Sequence, residues 1–118
     1  MAKVDITNTK LKLNEAATMP TAAAVTDETA GCAIDYTGKD DGKILIVLEN
    51  STSSPINIKI LQGNGIQGVE DLAINIGNME KKCIVIESGK FVNVKGELKG
   101  KVVINGSTSL KVAAIELP

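Results

Sequence analysis

The 118-residue chain has 43% hydrophobic residues but only 2% aromatic residues, which predicts one domain built around an aliphatic core. Its 13 basic residues are all lysine, and its 14 acidic residues leave a formal net charge of −1, so the charge balance favours neither nucleic acid nor a membrane as a partner. Histidine and arginine are absent, which removes the commonest general base and metal ligand and the bidentate contacts that arginine makes with phosphates.

The first third of the chain is rich in alanine, threonine and other small residues. A short alternating stretch at residues 10–13 is typical of a strand, whereas Pro20 and the threonines around it favour an extended segment over a short helix. We therefore predict an N-terminal strand and flexible arm over residues 1–31, followed by an antiparallel β domain over residues 32–118. No run is long and apolar enough for a signal peptide or a membrane span, so we expect a soluble protein made in the cytoplasm.

From residue 44 onward, short apolar runs are separated by turn residues. These runs predict strands at residues 44–50, 56–61, 72–76, 83–88, 91–94, 101–105 and 110–117. The first run is nearly continuous in apolar residues, which predicts a strand covered on both faces. The helical spacing of apolar residues does not recur in this half. The predicted fold class is all-β, either a compact antiparallel sandwich or a small barrel.

Two pairs of these strands have the spacing of hairpins. Residues 72–76 and 83–88 are separated by a short turn, so we predict that they pair with each other in antiparallel fashion. Asn105-Gly106 is a favourable two-residue turn between the last two runs and predicts a second hairpin.

Gly63, Gly65 and Gly68 form a G-x-G-x-x-G motif directly after the predicted strand 56–61. In a dinucleotide-binding site such glycines lead into a helix whose N-terminal amides hold the pyrophosphate. Here the alternating residues 72–76 follow, so we interpret residues 63–65 as a tight turn with positive φ and Gly68 as a second bend. We predict no bound cofactor and no catalytic residue.

Two further clusters could carry chemistry. Asp35, Asp40 and Asp41 surround a turn and could hold a hard cation, but a solvated turn explains them better, and we predict no metal site. Cys32 and Cys83 are too few for a zinc site, and we expect two buried, reduced thiols, although a disulfide between them stays open.

Several stretches resemble small virion structural proteins from the morphogenesis clusters of tailed phages and prophages, of the head-decoration or auxiliary-capsid type. They are MAKVDITNTKLKLNEA, AIDYTGKDDGKILIVLEN, IKILQGNGIQGVEDLAINI, KKCIVIESGKF and KVAAIELP. The resemblance covers nearly the whole chain and implies a non-catalytic protein that binds and reinforces a capsid lattice. It implies the major capsid protein or another virion protein as the partner, leaves a homo-oligomer open, and implies a location in the virion after assembly in the host cytoplasm.

On this interpretation the partner contacts come from the arm and from exposed turns. The candidate protein-binding residues are Ala16, Thr18, Met19, Pro20, Thr21 and Val25 in the arm, and Asn64, Ile66 and Gln67 in the glycine turn. The turn at residues 39–42 is a further candidate. Two other functions remain open, namely a phage tail or neck component and an immunoglobulin-like module that binds a cell-surface glycan or protein. The scarcity of aromatic residues and arginine counts against the latter.

Overall fold

The computed structural model describes residues 3–37, 42–66, 68 and 70–118. These residues form, in chain order, β1 Val4–Ile6, β2 Asn8–Lys10, β3 Ala23–Ala24, β4 Cys32–Asp35, β5 Ile44–Asn50, β6 Ile56–Ile60, β7 Leu72–Ile76, β8 Lys81–Ile84, α1 Ser88–Phe91, β9 Lys101–Asn105 and β10 Leu110–Glu116. Sheet A has the order β1-β4-β9-β6-β7, and sheet B has the order β2-β10-β5-β8, with β3 also paired to β10. The two sheets pack together without closing into a barrel, so the predicted all-β fold is confirmed in its sandwich form.

The core between the sheets is aliphatic, as the composition predicts. Alternate residues of each strand point inward because successive side chains of a strand lie on opposite faces. In β5, Ile44, Ile46 and Leu48 are at most 1% exposed, whereas the outward-facing Leu45 and Val47 are only half-buried. The prediction that β5 is covered on both faces is therefore wrong, since only sheet A packs against it.

The N-terminal residues contribute strands to both sheets. β1 pairs with β4 in parallel, Thr7 carries the chain across, and β2 pairs with β10 in parallel. These pairings make both sheets mixed, although the remaining pairings are antiparallel. The chain then leaves sheet B after β2 and returns as β3, which pairs with β10. Residues 11–22 between them lie outside the strands, apart from an isolated bridge between Lys12 and Glu15.

Neither predicted hairpin exists, because the chain crosses between the sheets at both turns. β7 pairs with β6 in sheet A, whereas β8 pairs with β5 in sheet B. Likewise β9 lies in sheet A between β4 and β6, and β10 lies in sheet B. The turn spacing is the same for a hairpin and for a short crossover between packed sheets. The crossover forms here because each of the two strands buries its apolar face in a different sheet of the sandwich.

Residues 91–94 do not form the predicted strand. The single helical turn α1 occupies Ser88–Phe91 instead and buries Phe91, which is 9% exposed. The backbone N–H of Val92 donates to the carbonyl oxygen of Ser88 and ends the turn. The connection from sheet B back to sheet A therefore runs through α1 and the loop that leads to β9.

The two sides of the sandwich differ. On one side the N-terminal chain passes from β1 in sheet A to β2 in sheet B and joins the two sheets. On the other side β7 and β8 are the edge strands, and Lys82 Nζ donates to the carbonyl oxygen of Asn75 across the gap at 2.8 Å. Lysines on edge strands discourage aggregation between sheets. In the described part of the chain, no helix has the length and hydropathy that a membrane crossing requires.

Candidate functional site

The glycine motif lies in the loop that joins β6 to β7, two strands that follow each other in the chain and pair in antiparallel fashion. A strand follows the motif, as predicted. The predicted positive φ at residues 63–65 is wrong, since neither Gly63 nor Gly65 has it. Close backbone approach explains the glycines instead: a Cβ on Gly63 would lie 2.5 Å from the carbonyl oxygen of Val92. A Cβ on Gly68 would overlap the carbonyl oxygen of Gly63.

Asn64 fastens this loop to the loop that follows α1. Its Nδ2 donates to the carbonyl oxygen of Lys95 at 2.9 Å, and its Oδ1 accepts from the backbone N–H of Val94 at 2.7 Å. Beside this clamp, the side chains of Ile66 and Val94 are 103% and 54% exposed. The two hydrogen bonds of Asn64 therefore hold together two loops that expose the apolar side chains of Ile66 and Val94 to solvent. We call Ile66, Val94 and Lys95 the tip.

A groove of about 520 Å³ lies next to the tip, on the open side of the sandwich. Its apolar wall comprises Leu72 of β7, Ile84 at the end of β8, Val85 and Ile86 after it, and Phe91 at the end of α1. Its polar residues are Glu70, Asp71, Glu87 and Lys90. Lys90 Nζ lies 3.7 Å from Glu87 Oε1, and Asp71 Oδ1 accepts from the backbone N–H of Gln62 at 2.8 Å. With three carboxylates and one ammonium group, the groove carries a net negative charge.

The sequence did not identify this groove, because its residues come from both edge strands and from α1. Val85 belongs to an apolar run in the sequence, yet its side chain is 48% exposed in the structure. The crossover of the chain between the sheets decides that residues 84–87 lie opposite residues 70–72.

The predicted arm residues lie on the opposite side of the sandwich, beyond β2 and β3. Ala16, Thr18, Met19 and Thr21 are exposed and Pro20 is half-buried, and no hydrogen bond or ion pair between described residues involves residues 16–22. Met19 is 72% exposed. The structure therefore brings Asn64 and Ile66 together, and the arm residues together, but on two separate surfaces.

One of the predicted binding residues, Val25, is part of neither surface. Val25 is 2% exposed in the core, and its backbone N–H donates to the carbonyl oxygen of Leu110 at 3.0 Å, so it cannot contact a partner. Composition marked it as part of the arm, but the pairing of β3 with β10 places it inside. Gln67 lies outside the described residues, as do Lys39, Asp40 and Asp41 of the second candidate turn.

The candidate cation turn contributes one described carboxylate, that of Asp35, whose Oδ1 accepts from the backbone N–H of Thr37 at 2.9 Å. Among the residues that the structure describes, no group of three Asp, Glu, Cys or His side chains could hold a metal ion. The bond to Thr37 is the local bond that a turn aspartate makes.

Both cysteines are free, and only Cys32 is buried as predicted. Cys83 is exposed on the edge strand β8, so the prediction of a second buried thiol is wrong. The two residues lie in different sheets, which answers the open question of a disulfide. Burial raises the pKa of the Cys32 thiol to about 12.

We expect a water-soluble disulfide reagent to modify one thiol per folded chain, because Cys83 is exposed to solvent whereas Cys32 is buried. The second thiol should react only after unfolding in denaturant. The matched variant Cys83→Ser should show no reactive thiol when folded and one when unfolded. Rapid reaction of folded Cys83→Ser would show that Cys32 is accessible and contradict the prediction.

The fold and its surfaces define an open β-sandwich that carries an apolar tip and groove on one side and an exposed segment on the other. Comparison of the chain with protein-family models, with curated proteins and with solved structures finds no match. The function is therefore inferred from the chain's own residues and their arrangement.

Proposed function

We propose that this chain is a non-catalytic structural protein of a phage or prophage particle, which binds an assembled capsid lattice and reinforces it. The resemblance of its sequence to head-decoration and auxiliary-capsid proteins motivates the phage assignment. The observation that carries a binding role is the segment of residues 16–22, which is mostly exposed, lies outside the strands and makes no hydrogen bond or ion pair with another described residue.

The body of the sandwich and the segment of residues 16–22 have different physical properties. The sandwich buries a continuous aliphatic core and keeps its shape when it is bound. The backbone groups of residues 16–22 make no hydrogen bond to another described residue and Met19 is exposed, so the segment can pair with or pack on a neighbouring protein. Ordering such a segment on a lattice that repeats many times gives many identical contacts.

The first test is the copy number of this protein in purified particles induced from the source strain, measured by quantitative mass spectrometry against the major shell protein. A decoration role predicts a ratio near one per shell subunit or one per hexamer. A handful of copies per particle would instead indicate a tail or neck component. Absence from particles would overturn the proposal and leave a surface-binding module, which the loop tip at one end of the sandwich favours.

The segment itself is tested by Met19→Asp. We expect its affinity for particles that lack the wild-type protein to fall about tenfold, because an apolar contact is replaced by a desolvated carboxylate. Co-sedimentation with such particles measures the loss. Deletion of residues 2–31 would be a poor test, since it removes β1, β2 and β3 from the sheets.

Met79→Asp is the matched control for this substitution. Met79 is 68% exposed, against 72% for Met19, but lies in the turn after β7. It should bind particles as the wild type does. Equal binding by both variants would remove the segment from the contact surface.

A further inference from the structure

The tip and the groove are neighbours at one end of the sandwich, and both present apolar side chains. Both are built from the β6–β7 loop and from the residues that follow β8. The tip protrudes, with Ile66 fully exposed, whereas the groove is concave and lined by apolar side chains. Since a contact between them within one chain would bury Ile66, its full exposure shows that they do not meet inside the monomer.

Their charges are also opposite. The loop of residues 94–99 carries Lys95, Glu97 and Lys99, all exposed, and therefore has a net positive charge. The groove carries Glu70, Asp71 and Glu87, of which Glu87 pairs with Lys90, the only lysine among its lining residues. Opposite charges at the rim of a contact favour association and fix its orientation.

We propose that two copies of this chain associate about a twofold axis at this end of the sandwich, with the tip of each copy in the groove of the other. A twofold contact requires that a surface be complementary to itself, so that every contact occurs twice. An exposed apolar tip beside an apolar groove of opposite charge meets this requirement. The association goes beyond binding to a shell, and it is tested on the isolated full chain.

Sedimentation velocity over micromolar to near-millimolar concentrations measures the association. The wild type should shift from monomer to dimer as its concentration rises. Ile66→Asp, which brings a carboxylate to the acidic groove, should raise the dimer dissociation constant by about tenfold or more. Val85→Asp, on a half-exposed groove residue, should do the same from the other side of the contact.

Two further variants make the test specific. Ile66→Lys should dissociate the dimer less than Ile66→Asp, because a lysine at this position faces the carboxylates of the groove. Met79→Asp, in the turn at the opposite end of β7, should leave the dimer unchanged. A wild type that stays monomeric throughout, or a dimer that persists in both Ile66→Asp and Val85→Asp, would overturn the proposal. Either result is independent of whether the protein binds particles.

Discussion

Replacing Asn50 by leucine is expected to lower the free energy of unfolding by about 3 kcal/mol, because it leaves several backbone groups without a partner. Asn50 is 1% exposed at the end of β5. The two hydrogens of its Nδ2 are shared among the carbonyl oxygens of Ser54, Ile76 and Gly77, at 2.8, 3.2 and 3.0 Å from the nitrogen. Its Oδ1 accepts from the backbone N–H of Thr52 at 3.1 Å and from the Thr52 hydroxyl at 2.6 Å.

These bonds join the two sheets where the chain crosses from β7 to β8. Asn50 belongs to sheet B, whereas Ile76 ends β7 in sheet A. The backbone N–H of Asn50 also donates to the carbonyl oxygen of Glu80 at 2.9 Å, in the same crossover. Leucine has nearly the shape of asparagine but none of its polar atoms, so Asn50→Leu removes the network without a large cavity. A loss of this size is a substantial part of the roughly 5–15 kcal/mol that stabilises a typical domain.

Asn57→Leu is the matched control for Asn50→Leu. Asn57 is exposed on β6 and accepts one bond, from Asn75 Nδ2 at 2.9 Å. We expect a change of less than about 0.5 kcal/mol, as for most exposed positions. Urea denaturation followed by circular dichroism gives both values, provided that the slopes agree. If the two variants unfold at the same urea concentration, the network around Asn50 does not stabilise the crossover.

Gly31→Ala should destabilise the fold by about 3 kcal/mol, the combined effect of an unfavourable backbone conformation and an overlap with a neighbouring strand. Gly31 has φ +66°, and a Cβ there would lie 2.0 Å from the carbonyl oxygen of Ile104 and 2.7 Å from the Cβ of Asn105. The oxygen belongs to the central strand β9, which cannot move without disturbing both of its neighbours.

The turn that Gly31 ends connects the N-terminal residues to the sheet. The Gly31 backbone N–H donates to the carbonyl oxygen of Asp27 at 2.8 Å, and the Gly31 carbonyl oxygen accepts from the N–H of Val4 at 3.1 Å. Bonds from the backbone N–H groups of Ala30 and Thr29 to Asp27 Oδ1 hold the pKa of that carboxyl below its usual range. Displacing Gly31 would therefore also loosen the attachment of β1.

Gly96→Ala separates the two contributions. Gly96 has φ +84° but no atom within 4 Å of an added Cβ, so only the backbone conformation should cost stability, about 1 kcal/mol. Thermal unfolding of the two variants under identical conditions measures the difference. Equal losses for Gly31→Ala and Gly96→Ala would show that the turn moves away from β9 and that the overlap is relieved.

At the glycine motif, the sequence predicted the following strand correctly but not the role of the glycines. The alternation of residues 72–76 predicted the strand that follows the motif, and β7 has those bounds. The role of the glycines was misjudged, because the carbonyl oxygen of Val92 that lies against Gly63 is distant in the chain. Asn64 and Ile66 were predicted as binding residues from composition, but the clamp from Asn64 to residues 94 and 95 was not visible.

Composition, short apolar runs bounded by turn residues and, for β7, alternation by themselves predict the all-β class, the aliphatic core and the bounds of β5, β7 and β9. They do not establish which strands pair. A turn of a few residues serves equally for a hairpin and for a crossover between packed sheets, as the turns after β7 and β9 show. Burial of the strands against two facing sheets is what selects the crossover. The same packing buries Val25 and leaves Cys83 exposed. It also brings together, from separate edge strands, the apolar wall and the carboxylates of the groove.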